Sequence, residues 1–170
     1  MEYTFRKAKV DEQDQIWAIL KDAIRRRKEE GSDQWQDGYP NPGVIKDDID
    51  KGVGFVLLDR DEVVGYCAVL INDEPQYADI EGQWLTDGDF VVIHRVAISE
   101  NYLGQGLAKK MLQYIEGYAL ENNIHSVKAD TNFDNPGMLH IFKKTGYTYC
   151  GEVILRGKPR KAFEKVLTDS

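Results

Sequence analysis

Cysteine is nearly absent: of 170 residues only Cys67 and Cys150 carry a thiol, far apart and outside any CxxC pair. That excludes a disulfide framework and a structural zinc site, and both thiols read as buried strand residues. Histidine is as sparse, with His94, His125 and His140 in unrelated segments, so no metal site is expected. Long apolar runs are missing too. None approaches the roughly 20 residues that span a bilayer, and MEYTFRKAKVDEQ at the start lacks the apolar centre of a signal peptide. The expectation is a cytoplasmic protein with no membrane partner. Positive charge is in the minority, 22 Lys and Arg against 29 Asp and Glu, for a net charge of −7. Sequence-independent nucleic-acid binding needs the opposite balance, so DNA and RNA are not expected as partners. Repeats, low-complexity tracts and dividing linkers are also lacking, which gives one domain over residues 1–170.

What is present alternates between strand and helix signals. Residues 3–8 read as a strand, and Ile16, Ile19, Leu20, Ala23 and Ile24 repeat at helical spacing through a helix over 12–30, ended by Gly31. A loop over 31–43 holds three glycines, two prolines, Trp35 and Tyr39; a short helix over 44–51 follows. GFVLLDR and EVVGYCAVLI flank Asp61 as a hairpin, and a polar connection over 72–88 carries Tyr77 and Trp84. A strand over 89–98 leads to a glycine loop and a helix over 104–123, with Leu107, Met111, Leu112, Ile115 and Ala119 on one face. After a strand over 125–131, Asn135 and Pro136 mark a helix start and Gly146 its end. YTYCGEVIL and AFEKVL are the last strands, separated by the turn-forming RGKPRK.

Residues 91–110, VVIHRVAISENYLGQGLAKK, run an apolar strand into a glycine-bearing helix start. A helix begins with unpaired N–H groups and the positive end of its dipole, so small residues at Gly104, Gly106 and Ala108 let a phosphate approach the backbone. A P-loop would continue in GKS or GKT, and a dinucleotide-binding fold places its glycines near the start of a parallel sheet. Neither pattern fits.

The element order, with two motifs, resembles the GNAT superfamily of N-acetyltransferases over residues 3–167. The family's cofactor loop is Q/RxxGxG/A, and residues 103–108 read LGQGLA, with Gly106 and Ala108 at the small positions and Leu103 in place of Gln or Arg. Its second signature matches Asn135, Phe142, Lys143, Lys144, Gly146 and Tyr147. The resemblance implies an α/β (α+β) GNAT fold, a central mixed, mostly antiparallel sheet flanked by helices. It implies transfer of an acetyl group from acetyl-CoA, with no metal, to a primary amine, small or peptidyl, by direct attack. The implied cofactor contacts are Val96, Ala97 and Ile98 on the strand, Leu103, Gly104, Gln105, Gly106, Leu107, Ala108 and Lys109 in the loop, and Asn135 and Phe142. Phe142 stands where many members place a tyrosine that protonates the departing thiolate, which leaves water, Tyr147 or Tyr149. It also motivates a competing reading, a catalytically silent acyl-CoA-binding module.

Several candidates carry two readings each. Lys109 and Lys110 sit in a first helical turn, where the dipole disfavours cations by some ~0.3–1 kcal/mol, so they either meet an anion or are solvated. Asn135 is an N-cap with or without a cofactor contact. Period-two alternation puts His94 on the face of Val96 and Ile98, making it the first candidate for general base, with Glu81 second; a structural histidine is the alternative. Residues 61–94 contain no Lys or Arg but eight Asp and Glu, a field that would steer a cationic amine or simply be solvated. Trp35, Tyr39, Tyr77 and Trp84 would wall the acceptor pocket or cover the core under long loops. The acceptor itself and the oligomeric state, a homodimer included, are left open.

Overall fold

A computed structural model describes residues 3–168. They fall into two compact units: residues up to Val69 with Arg95–Leu112, and Leu70–His94 with Gln113 onward.

In the first unit, β1 (Tyr3–Lys7), β2 (Gly54–Asp59) and the greater part of β3 (Glu62–Ile71) form an antiparallel set. Asp59 pairs with Glu62 around the tight turn expected at Asp61, where Arg60 takes φ +57°. Helix α1 (Gln13–Glu29) follows a single 3₁₀ turn, Val10–Glu12. Ile16, Ile19, Leu20 and Ala23, three or four residues apart, are its buried stripe. Arg26, Arg27 and Lys28 in its last turn complement the dipole. Helix α2 spans Pro42–Asp50 and so begins two residues before the expected start, because Asn41 caps it by accepting from the Val44 N–H at 3.1 Å and Pro42 fits the first helical position. These helices and strands share a core of Ile16, Leu20, Trp35, Ile45, Val56, Tyr66 and Ala97.

In the second unit, β5 (Val91–Ile98) pairs parallel with β6 (Ser126–Thr131) through residues 91–93 and 127–129. Antiparallel β8 (Lys158–Val166), β7 (Thr148–Leu155) and the two-residue β4 (Glu81–Gly82) follow in that order. The polar connection therefore has structure of its own, a 3₁₀ turn at Pro75–Asp79 and then β4. The turn between β7 and β8 is narrower than RGKPRK: only Arg156 and Gly157 form it, both at positive φ as a two-residue hairpin turn requires, and residues 158–161 join β8. Helix α4 spans Pro136–Lys144. Helix α3 (Leu107–Glu121) and strands β3 and β5 run from one unit into the other. Gly117 leaves α3 unbroken, and its face of Leu107, Met111, Leu112, Ile115 and Ala119 is buried as expected. The architecture is the expected mixed α/β class, mostly antiparallel with helices alongside. Cys67 and Cys150 are buried free thiols on β3 and β7, and burial pushes the Cys67 thiol well up. No helix among the described residues is long and apolar enough to cross a membrane.

Candidate active site

Strand β5 passes through a 3₁₀ turn, Glu100–Tyr102, into the glycine loop. The expected helix start at 104 is corrected to Leu107, because Gly104 and Gly106 hold φ +79° and +74°, which helical backbone cannot adopt. A Cβ built on either glycine would meet nothing within 4 Å, so open space stands over this backbone. The Lys110 N–H donates to the Gly106 carbonyl at 3.1 Å, while the N–H groups of the first helical turn precede that ladder and point outward. Leu103, Gln105 and Lys109 are exposed, Ala108 is half-buried, and Leu107 turns into the core. An open, positive-φ cradle at the head of a 15-residue helix fits a diphosphate. Lys110 is turned aside, its Nζ 5.4 Å from the Tyr3 ring centre.

Within β5, Arg95 has φ +58°. A left-handed residue breaks period-two alternation, so the expected sharing of one face by His94, Val96 and Ile98 is corrected: Val96 is half-buried while Ala97 enters the core. The kink is held from the side chain. Arg95 Nε and Nη2 donate to the two Asp48 carboxylate oxygens at 2.9 and 2.7 Å, and Nη1 donates to the Tyr39 hydroxyl. Tyr66 donates to the same carboxylate at 2.6 Å, and burial with that negative neighbour pushes its phenol far up. Tyr39 thus braces Arg95. Trp35 is a core residue, 6% exposed, with the Arg27 guanidinium 3.9 Å over its ring. The Ile98 carbonyl accepts from Arg26 at 3.3 Å.

In the second unit, His94 Nε2 lies 2.8 Å from Glu74 Oε2, and Nδ1 lies 4.0 Å from Asp130 Oδ2. Asp130, its side chain 2% exposed, also accepts from Tyr77 at 2.5 Å and makes an ion pair with Arg160 Nε at 3.2 Å, an approach outside hydrogen-bond angles. Burial and the Asp130 charge push the Tyr77 phenol well up. Trp84 donates from Nε1 to the Tyr77 carbonyl at 2.8 Å and packs on its ring. Glu81 is elsewhere, exposed on β4 opposite Glu152. Asn135 caps α4, accepting from the Met138 N–H at 3.3 Å. Phe142 is 2% exposed between Tyr147 and Phe163. Tyr147 donates to Glu116 at 3.1 Å, and burial beside that carboxylate raises its phenol well above the usual range. Tyr149 is exposed.

The partners that matter most here, Glu74, Asp130, Asp48 and Arg95, are those sequence reading did not single out. The one hint was the Lys- and Arg-free stretch that contains Glu74. Among the described residues no group of three or more His, Cys, Asp or Glu is placed to hold a metal ion.

The model of the acetyltransferase (GNAT) family matches residues 16–147. The Uncharacterized N-acetyltransferase YesJ of Bacillus subtilis (strain 168) is 24% identical over 145 residues, covering 83% of this chain and 79% of that protein. The crystal structure of a GNAT-family acetyltransferase from Streptococcus agalactiae 2603 aligns with a TM-score of 0.90 at 38% identity, covering 98% of this chain and 96% of that one. A GNAT-family acetyltransferase from Listeria monocytogenes 4b F2365 shares the fold, with a TM-score of 0.78 at 20% identity over 98% and 96% of the two chains.

Proposed function

We infer the reaction from the premise that this chain belongs to the acetyltransferase (GNAT) family: it is an N-acetyltransferase, and its family takes the acetyl group from acetyl-CoA. The competing reading, a silent acyl-CoA-binding module of the same family, is separated from it by turnover. We propose that residues 1–170 act as one acetyltransferase domain whose acceptor is a primary amine, small or peptidyl, attacking directly.

When bound, acetyl-CoA supplies a thioester carbonyl as the electrophile. The chain's residues bind and orient. From the first unit, the N–H groups of Gly104, Gln105, Gly106, Leu107, Ala108 and Lys109 hold the diphosphate, with Leu103 at the loop entrance. Backbone groups of Val96, Ala97 and Ile98 align the pantetheine arm, and their fixed dipoles face developing negative charge. Asn135 and Phe142, in the second unit, are the further residues that the family pattern assigns to the cofactor. Trp35 and Tyr39 in the loop over 31–43, and Trp84 in the connection over 72–88, are each candidates for contact with the acceptor. His94 is the general base; Glu81 is the second candidate, without a polar cluster around it. Because the Tyr147 phenol is committed to Glu116, water or the exposed Tyr149 would supply the proton to the thiolate.

The observation that carries this reading is the open two-glycine cradle at the head of α3. A panel of primary amines assayed for free thiol released from acetyl-CoA tests it. Acceptor-dependent thiol release is expected; coenzyme A binding with no acceptor-dependent release across the panel would overturn it.

A further inference from the structure

Glu74 lies in the connection after β3 and His94 on β5, 20 positions apart, yet their side chains meet at 2.8 Å with only 14% and 16% of their surface exposed. A carboxylate can only accept, so the shared proton sits on His94 Nε2. In the neutral ring the lone pair then belongs to Nδ1. The charged and titratable groups that face the ring are Glu74 on one side and Asp130 on the other, with Tyr77 and Arg160 behind Asp130. At 4.0 Å from Nδ1, Asp130 Oδ2 is beyond hydrogen-bond reach, and its carboxylate is already engaged by the Tyr77 hydroxyl and the Arg160 charge. Glu74 is therefore the carboxylate that answers to His94.

We propose that Glu74 is the positioning residue for His94: it fixes the Nε2–H tautomer, presents Nδ1 as the proton-accepting atom, and stabilises the ring once it is charged. This rests on the reading of His94 as general base. The acceptor ammonium gives one proton to Nδ1, which frees the nitrogen lone pair for attack. The ring becomes an imidazolium whose Nε2–H still points at an ionised Glu74. The pair works as an orienting carboxylate works behind a catalytic histidine, holding geometry and opposing charge without itself taking the proton.

Glu74→Ala and Glu74→Gln separate the two parts of the role, because alanine removes the hydrogen-bond acceptor while glutamine keeps an acceptor and removes the charge. In the full chain labelled with ¹⁵N-histidine, the His94 signals are identified by their loss in His94→Ala. The wild type is expected to show the Nε2–H tautomer, and Glu74→Ala to lose it; this readout needs neither acceptor nor cofactor. With an amine that the panel identifies, Glu74→Gln is expected to lower kcat by about 10- to 100-fold with the KM for acetyl-CoA unchanged. Glu74→Asp, which keeps the charge, is expected to recover part of kcat. An unchanged tautomer in Glu74→Ala, or a wild-type kcat in Glu74→Gln, overturns the proposal. If instead His94→Ala keeps the wild-type rate, the reading of His94 as base fails, and the tautomer measurement shows separately whether Glu74 orients the ring.

Discussion

Gly82 on β4 and Gly151 on β7 face each other so closely that neither has room for a side chain. A Cβ on Gly82 would lie 2.1 Å from the Cys150 carbonyl oxygen, and one on Gly151 would lie 2.2 Å from that of Glu81. Both clashes are with backbone, which cannot swing aside as a side chain can. Gly151→Ala should therefore prise β4 from β7 and cost about 1–3 kcal/mol, measured as a fall in Tm. Gly104→Ala is the comparison: it carries positive φ with nothing within 4 Å, so its cost is the left-handed conformation alone, about 1 kcal/mol.

The same open space makes the glycine loop a selective place to block a ligand. A Cβ at position 106 meets nothing within 4 Å, so Gly106→Val would project into the cradle, at the added cost of placing a β-branched residue at φ +74°. The Kd for coenzyme A, measured by calorimetry, should rise about 10-fold or more, equivalent to ~1.4 kcal/mol. A wild-type Kd would place the diphosphate elsewhere.

Arg95 and Asp48 form a bidentate pair whose side chains are 11% and 6% exposed. Removing one partner leaves a desolvated charge, so Asp48→Ala and Arg95→Ala should each cost about 3–5 kcal/mol. The double variant should lose less than the sum of the singles, which urea denaturation of all four proteins would reveal as a coupling energy.

Acid should weaken the first unit through Glu12. Its carboxyl is held below the usual carboxylate range chiefly by the hydrogen bonds from Arg6 at 3.0 and 2.7 Å, with the Lys9 N–H adding a third; burial works against them. A carboxyl depressed in the folded state stabilises fully above its unfolded value and loses that contribution as pH falls through the folded one. Urea midpoints should therefore decline from about pH 5 downward. Glu12→Gln should be less stable at neutral pH, by roughly 1 kcal/mol, and flatter below it. Parallel acid curves for the two proteins would exclude Glu12 as a contributor.

Tyr147 offers a negative control for the chemistry. With its hydroxyl donated to Glu116 and its phenol raised, it is a poor proton source, so Tyr147→Phe should leave kcat within about twofold. A larger loss, with Tm unchanged, would make Tyr147 the acid that Phe142 cannot be.

The parts legible beforehand were those that neighbouring residues decide. Ile16 to Ala23 announced α1, Asn135 and Pro136 the start of α4, and Gly104 and Gly106 an open loop before α3. The aromatics of the two long connections were legible only as a choice of roles, and the structure adds the partner of each: Trp35 sits in a core cluster, Tyr39 accepts from Arg95, and Trp84 donates to the Tyr77 carbonyl.

The sequence by itself determined the periodic faces, the helix caps and the glycine turns, because φ preferences, capping bonds and side-chain periods act within a few residues. Only the tertiary structure decided that Glu74 meets His94, that Asp48 and Tyr39 grip a left-handed Arg95, and that Gly82 must face Gly151. Arg95 shows why: an arginine has no preference for positive φ, so the kink that ends the alternation of β5 comes from distant groups holding its side chain.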